Sequence, residues 1–382
     1  MPPETLPVFT VAGNRLTLLT EGPDRMDALL ALIGGARRSL RILFYIWEED
    51  GAGTRVRDAL VAAAERGVRV SLIVDGLGAE AAASRGFFDP LRAAGGEVCV
   101  FLPRIGRRYL LRNHQKLALA DEARVIVGGF NIEDAYFGTE ADQAWRDIGL
   151  LVDGPAAGRL AGYFDALKAW IALPGAPLRK LSRMLNQWSE TRGPIRWLLG
   201  GPSRRLSPWA RTVRHEITHG SRIDMIAAYF APGPLMLRRL DKAAKRTRLR
   251  ILVPARTDHA IAILAARFTY RNLLRHAIEL YEYAPTKLHS KLFVADDAVH
   301  IGSANFDMRS MFLNMELMLR VEDAGFAAHL RAYMDGEIAR SERITRETHR
   351  ARSGWWTRIK QAGAYFIMAT LDPQVTARLN RD

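Results

Sequence analysis

RNHQKLALADEARVIVGGFN, residues 112–131, returns in altered form as KLHSKLFVADDAVHIGSAN at residues 287–305. Each stretch carries a histidine, a lysine two residues on and an aspartate five beyond that: His114, Lys116 and Asp121, then His289, Lys291 and Asp296. A glycine-containing turn follows, Gly128–Gly129 in one and Gly302–Ser303 in the other, closed by Asn131 and Asn305. Side chains alternate between the faces of a strand, so each histidine and its lysine project from one side. The glycines are expected to let the backbone approach a ligand closely.

The likeness extends outward from these stretches. SLRILFYIWEEDG (39–51) parallels SRIDMIAAYFAPG (221–233), and ALVAAAERGVRVSLIVDG (59–76) parallels RLDKAAKRTRLRILVPAR (239–256). FDPLRAAGGEVCVF (88–101) matches RNLLRHAIELYEYA (271–284), and DIGLLVD (147–153) matches ELMLRVE (316–322). Apolar runs suited to buried strands alternate with Ala- and Leu-rich helical segments, which predicts duplicated α/β units around a sheet. The last alignment sets Asp147 opposite Glu316. The first copy has a longer loop before its acid, containing YFGTEADQAW.

The 382 residues allow two or three domains. They carry 55 Lys and Arg against 41 Asp and Glu, a net charge of +14, which points to a polyanionic partner: nucleic acid or an anionic membrane surface. Much of the excess lies in 156–222, with 12 Lys/Arg against three acids and four tryptophans, Trp170, Trp188, Trp197 and Trp209. That mixture suits an interfacial helix, and equally a helical insertion packed on the sheet. The tail from Gly354, GWWTRIKQAGAYFIMATL, is a weaker candidate of the same kind. The single cysteine, Cys99, excludes an intramolecular disulfide framework and reads as a buried thiol. No signal peptide and no membrane-spanning run are expected.

A histidine beside a lysine suits phosphate chemistry: the imidazole attacks phosphorus or moves a proton, and the ammonium balances the phosphoryl oxygens. An asparagine amide adds a neutral donor. Two copies meeting at one phosphorus supply an in-line nucleophile and an acid for the leaving oxygen. No metal or other cofactor is required. Asp121 and Asp296, though part of the catalytic motif, sit at the far end of the strand, where a turn-stabilising role is favoured. Asp147 and Glu316 are placed to hold a histidine tautomer. His215 and His219, four apart without an acidic partner, read as surface histidines.

The doubled H-x-K-x4-D resembles the phospholipase D superfamily, and the flanking FYIWEEDGAGTRVRDALVAAAERGVRVSLIVDG, GGFNI, WRD and GSANFDMRSMFLNME resemble its bacterial cardiolipin-synthase branch. The resemblance implies two phospholipase D-like α-β-α units with mixed sheets, related by a pseudo-two-fold axis and separated by a helical insertion. The corresponding boundaries are 1–155, 156–222, 223–345 and a helical tail at 346–382. It implies that His114 is the nucleophile and His289 the general acid and then base. Lys116, Lys291, Asn131 and Asn305 would hold the phosphoryl group; Asp147 would support His114, and Glu316 would support His289. The implied activity is phosphatidyl transfer between two phosphatidylglycerol molecules, with hydrolysis to phosphatidic acid or nucleic-acid cleavage as alternatives. The implied setting is cytoplasmic and peripheral on the inner membrane. Nucleic acid is the less favoured partner, because the Trp-rich segments suit lipid. The acceptor alcohol and oligomeric state stay open.

Overall fold

The repeats become two eight-stranded mixed sheets whose strand orders match. The computed structural model describes residues 6–101, 111–173, 175–203 and 206–371. The first sheet comprises β1 (Val8–Val11), β2 (Asn14–Leu19), β3 (Ser39–Phe44), β4 (Arg69–Asp75), β5 (Glu97–Phe101), β6 (Leu117–Ala120), β7 (Arg124–Gly128) and β8 (Gly149–Asp153). Their order is β1-β2-β8-β7-β6-β3-β4-β5. The second comprises β9 (Ile195–Gly200), β10 (Arg222–Ala227), β12 (Arg248–Pro254), β13 (Glu279–Tyr283), β14 (Lys291–Ala295), β15 (Ala298–Gly302), β17 (Glu316–Glu322) and β18 (Ser341–Ile344), ordered β18-β13-β12-β10-β14-β15-β17-β9. A short parallel ladder pairs β11 (Phe230–Ala231) with β16 (Phe306–Asp307).

Each sheet is covered on both faces. On the first, α1 (Gly22–Gly34), α2 (Gly51–Glu65), α3 (Glu80–Ser84) and α4 (Asp89–Ala93) contribute to one core, and α5 (Pro155–Ile171) packs on the other face. After α6 (Leu178–Trp188), the second sheet is covered by α7 (Pro208–His219), α8 (Pro234–Ala244) and α9 (Ala260–Arg275). The short α10 (Met308–Phe312) lies in the turn after Asn305, and α11 (Ala324–Ala339) takes the inner position equivalent to α5. The two inner faces share one core: Leu117, Val127 and Leu150 lie in it with Leu292, Ile301 and Leu319, and so do Phe164 of α5 and Leu330 of α11. These are the expected duplicated α-β-α units. Local signals agree with it: Asp50 caps α2 by accepting from Gly53 N at 2.8 Å, and the apolar run of β4 sits between two parallel neighbours, where both faces are buried.

The segment 156–222 departs from a helical insertion. Its strand β9 lies antiparallel to β17, as β2 lies against β8. The second repeat therefore begins near Ile195, not at residue 223. The interfacial reading of this segment is also overturned. Trp170, Trp197 and Trp209 are buried and Trp188 is half-buried. The indole N–H groups of Trp170 and Trp197 donate to Pro177 O (3.0 Å) and Ala156 O (2.8 Å). On α6 the apolar Leu181, Met184 and Leu185 face inward, leaving Arg179, Lys180 and Arg183 on an exposed polar face. Cys99 is half-buried on β5. The tail forms α12 (Arg346–Arg352) and α13 (Trp355–Phe366); its residues 372–382 lie outside the described residues. Among the described residues, no helix is long and apolar enough to cross a membrane.

Candidate active site

The two motif segments meet where the halves touch. Asn113 forms a parallel bridge with Met315, and Leu288 forms one with Arg146. His114 N donates to Met315 O at 2.9 Å, and His289 N donates to Arg146 O at 2.8 Å. Each histidine thereby lies beside the residue that precedes the other half's acid. The consequence is an exchange of partners relative to the sequence expectation: His114 Nδ1 is 3.1 Å from Glu316 Oε2, and His289 Nδ1 is 2.6 Å from Asp147 Oδ2. Alignment along the chain paired each acid with the histidine of its own half; the two-fold association of the halves pairs it with the other.

His114, Asn131, His289 and Asn305 line one cavity of about 730 Å³. Lys116 and Lys291 are buried beneath the rings and donate to His114 O (2.7 Å) and His289 O (2.5 Å). Lys291 Nζ also stands 2.9 Å from His289 Nδ1. Asn131 donates to the Tyr136 hydroxyl (3.2 Å), while the buried Asn305 Oδ1 has no partner among the described residues. Gly128–Gly129 and Gly302 serve a purpose other than the expected approach to a ligand. A Cβ on Gly129 would stand 2.6 Å from Asp147 Oδ1, and one on Gly302 would collide with Leu317 O, so both open space for the acid-bearing strands.

Asp121 and Asp296 lie outside the cavity, four to five residues along the motif strand. Asp121 accepts from the backbone N–H groups of Arg37, Arg38 and Ser39 at 2.7–2.9 Å. Asp296 accepts from those of Ser221 and Arg222 at 3.0–3.1 Å. Each ties its turn to the start of β3 or β10. Their inclusion in the catalytic set is corrected to this positioning of the motif strand.

Burial is the dominant electrostatic influence. It lowers His289 to about 3 and His114 well below the usual imidazole value, with the neighbouring lysines adding to both shifts. It lowers Lys116 to about 7 and Lys291 to about 8, against the pull of Glu316 and Asp147. The acids differ. Burial opposes the ionisation of Asp147, but Lys291 and His289 outweigh it and hold the carboxylate below its ordinary range. Burial lifts Glu316 to about 8, despite Lys116 and the hydroxyls of Ser303 (2.5 Å) and Ser310 (2.8 Å).

Several contributors were not singled out from sequence. Arg112 and Lys287 line the cavity; each lies two residues before its histidine, the spacing that puts strand residues on one side. Tyr45 lies 5.1 Å from the His114 ring, and Tyr136 and Trp145 each lie 5.2 Å from that of His289. Asp75 accepts from Asn113 N (2.9 Å) and so fixes the chain before His114. Arg25, buried on α1, donates to the carbonyls of Thr20, Tyr136 and Asp147 at 2.5–2.9 Å. It falls in phase with Met26, Leu29 and Ile33, the signal that it points inward. Arg25→Met is expected to leave the carbonyls of Tyr136 and Asp147 unpaired, Thr20 O keeping Arg146 as a donor at 3.3 Å, and to cost about 3 kcal/mol of stability in urea denaturation; an unchanged midpoint would remove this role. The described residues contain no group of three or more His, Cys, Asp or Glu placed to hold a metal ion.

A duplicated α-β-α fold with two His–Lys sets at the junction is the arrangement of the phospholipase D superfamily. The family model described as "Cardiolipin synthase, PLD-like domain" matches residues 29–168 and 213–338, and the chain belongs to that family. Cardiolipin synthase A of Edwardsiella ictaluri (strain 93-146) is 30% identical over 94% of this chain and 76% of its own length. Cardiolipin synthase B of Escherichia coli (strain K12) is 29% identical over 93% of this chain and 88% of its own. Among solved structures, phosphatidylserine synthase of Haemophilus influenzae Rd KW20 shares the fold, with a TM-score of 0.70 at 12% identity, covering 98% of this chain and 97% of that one. The chain is an enzyme of this superfamily.

Proposed function

We propose that the protein is a phosphatidyltransferase that condenses two phosphatidylglycerol molecules to cardiolipin and glycerol. The observation that carries this reading is the pair of buried histidines on one cavity, each backed by a carboxylate from the opposite half, in a chain of the cardiolipin synthase family. His114, with Nδ1–H donating to Glu316, has its Nε2 lone pair free to attack phosphorus. His289 is held neutral by burial and then by Lys291, while the ionised Asp147 opposes that shift and is placed to stabilise the imidazolium when a proton is carried. A bound phosphodiester anion beside the ring stabilises the imidazolium against both burial and Lys291, and so allows it to carry a proton.

In the first step the His114 Nε2–P bond forms and the P–O bond to glycerol breaks, while His289 gives its proton to the departing oxygen. In the second, a hydroxyl of another phosphatidylglycerol attacks phosphorus and loses its proton to His289, and the P–N bond breaks. Both histidines end as they began. Lys116, Lys291, Asn131 and Asn305 hold the phosphoryl oxygens. The cavity has the size of an ordinary small-molecule site and takes the headgroups; the acyl chains of two lipids stay in the bilayer. This makes the protein peripheral at an anionic membrane surface, on the cytoplasmic face where phosphatidylglycerol is met.

The test is to incubate purified protein with phosphatidylglycerol vesicles and, separately, with DNA, and to identify the products by mass spectrometry. Cardiolipin plus glycerol supports the proposal; phosphatidic acid alone makes the protein a hydrolase; cut DNA with intact lipid overturns it. The lysines add a pH signature. Their ammonium forms prevail below about pH 7 for Lys116 and about pH 8 for Lys291, so kcat/KM is expected to fall about ten-fold per pH unit between those values and more steeply above both. The bound anion holds them protonated, so kcat falls at higher pH. A kcat/KM flat from pH 7 to 9 would contradict their role in binding phosphate.

A further inference from the structure

A second cationic cavity lies toward the C-terminal end of α9, whose N-terminal end borders the active-site cavity. It measures about 640 Å³ and is lined by Arg271 and Arg275 of α9, Arg346, His349 and Arg350 of α12, and Arg358 of α13. Arg346 is held by the carbonyls of Leu274 and Arg275 at the end of α9. The guanidinium groups of Arg271, Arg275, Arg350 and Arg358 form no hydrogen bond or ion pair with a described residue, and no described carboxylate lines the cavity. Clustered guanidinium groups repel one another, and an anion with several acceptor oxygens relieves that repulsion. Burial, and then Arg358, push the His349 imidazole below its ordinary value, with Glu282 opposing and Arg271 adding to the shift.

The cavity is bordered by an apolar stripe. On α13, Gln361, Ala364 and Tyr365 are buried, with Tyr365 stacked on Phe268 of α9 at 4.7 Å. The outward face carries Trp355 (62% exposed), Trp356 (63%), Ile359, Phe366 and then Ile367, at helical spacing. α13 runs antiparallel to α9: Arg358 faces Arg271 and Arg275 in the cationic cavity, whereas Met368 and Ile261 reach the active-site cavity. Over the 12 residues from Trp355 to Phe366 the stripe spans about 16 Å. It connects the cationic cavity to the mouth of the catalytic one.

We propose that this cavity binds the phosphate headgroup of an anionic phospholipid in the bilayer surface, with Trp355, Trp356 and Ile359 seated among the headgroups beside it. Charge complementarity selects the occupant. Guanidinium groups at phosphate depth next to exposed indoles and aliphatic side chains match an anionic bilayer interface, whereas a nucleic acid would leave the apolar stripe unsatisfied. Docked this way, the α9–α13 face lays the active-site mouth against the surface that supplies substrate. The assignment rests on the reading that the catalytic site acts on membrane phospholipid.

The experiment is flotation of the full chain on vesicles of phosphatidylcholine and of equimolar phosphatidylcholine and phosphatidylglycerol, in a His114→Ala background so that the lipid is not consumed. The chain is expected to float with the anionic vesicles only. Arg271→Glu/Arg275→Glu/Arg358→Glu is expected to weaken that binding about 100-fold, and Trp355→Ser/Trp356→Ser to weaken it at least ten-fold. With His114 intact, both variants are expected to turn over short-chain phosphatidylglycerol in micelles at the unaltered rate. Equal flotation of variant and parent overturns the proposal, as does equal binding to neutral vesicles or release by millimolar inorganic phosphate. A parent that turns over micellar lipid without floating overturns the docking surface and leaves the catalytic reading standing. Arginine-dependent flotation without lipid turnover by any version supports the docking surface and refutes the catalytic reading.

Discussion

Replacing His114 with alanine is expected to lower the rate of phosphatidylglycerol condensation by about 10⁴-fold or more, the order of loss when one member of a concerted catalytic unit is removed. His114 is 8% exposed and lies against a cavity whose other wall is His289, and no neighbouring side chain replaces its nucleophilic nitrogen. His289→Ala is expected to be as slow overall but to differ in kind. It keeps the nucleophile, so a substrate whose leaving group needs no proton, such as a phosphatidyl ester of a nitrophenol, is expected to release one equivalent and leave a covalent adduct on His114. Mass spectrometry of the intact protein reads both results. An adduct on the His114→Ala chain, or none on the His289→Ala chain, would reverse the two assignments. The folded state should survive either change, since each histidine lies at the junction and not in the shared apolar core.

The second large effect separates the two acids. Asp147→Asn is expected to cost about 10³–10⁴-fold in kcat, because an amide neither stabilises imidazolium nor fixes the tautomer that a carboxylate selects. Glu316→Gln is expected to cost only about ten-fold near pH 7, the worth of one mismatched hydrogen bond. Burial already holds Glu316 at about 8, so the neutral amide resembles the form present at pH 7. The sign follows from the two shifts: Asp147, lowered, is ionised throughout the working range, whereas Glu316, raised, gains its charge only above about pH 8. The gap between the two variants should therefore narrow as pH rises past 8. Equal losses at pH 7 would show that both acids act as anions.

How far the sequence carries this picture depends on whether a feature is local. The strands, the histidines and the acids Asp147 and Glu316 are legible because each is written twice at matching intervals, and the observed strand orders repeat accordingly. Which acid meets which histidine is not written locally. It follows from the bridges Asn113–Met315 and Arg146–Leu288, which exist only when the halves associate. The tryptophans of 156–222 show the same limit: composition reports amphipathic side chains, not the face they occupy, and three of the four proved to be interior. IRWLLG between Pro194 and Gly201 had the length and punctuation of a strand, but its charged neighbours drew the reading toward a helix. Arg25 and the pair Arg112 and Lys287 could have been read from periodicity alone.

The crossed carboxylates make the two halves answerable to each other. On the proposed roles, a substitution at Asp147 is expected to act on a histidine 142 positions downstream, and one at Glu316 on a histidine 202 positions upstream. Neither half carries a complete catalytic histidine of its own, so the copies could not part company after duplication: a change in one acid is felt, and must be answered, in the other repeat. Of two chains, one bearing Asp147→Asn and the other Glu316→Gln, each keeps one intact cross-half pair, and a single pair is a half-site, not half an enzyme.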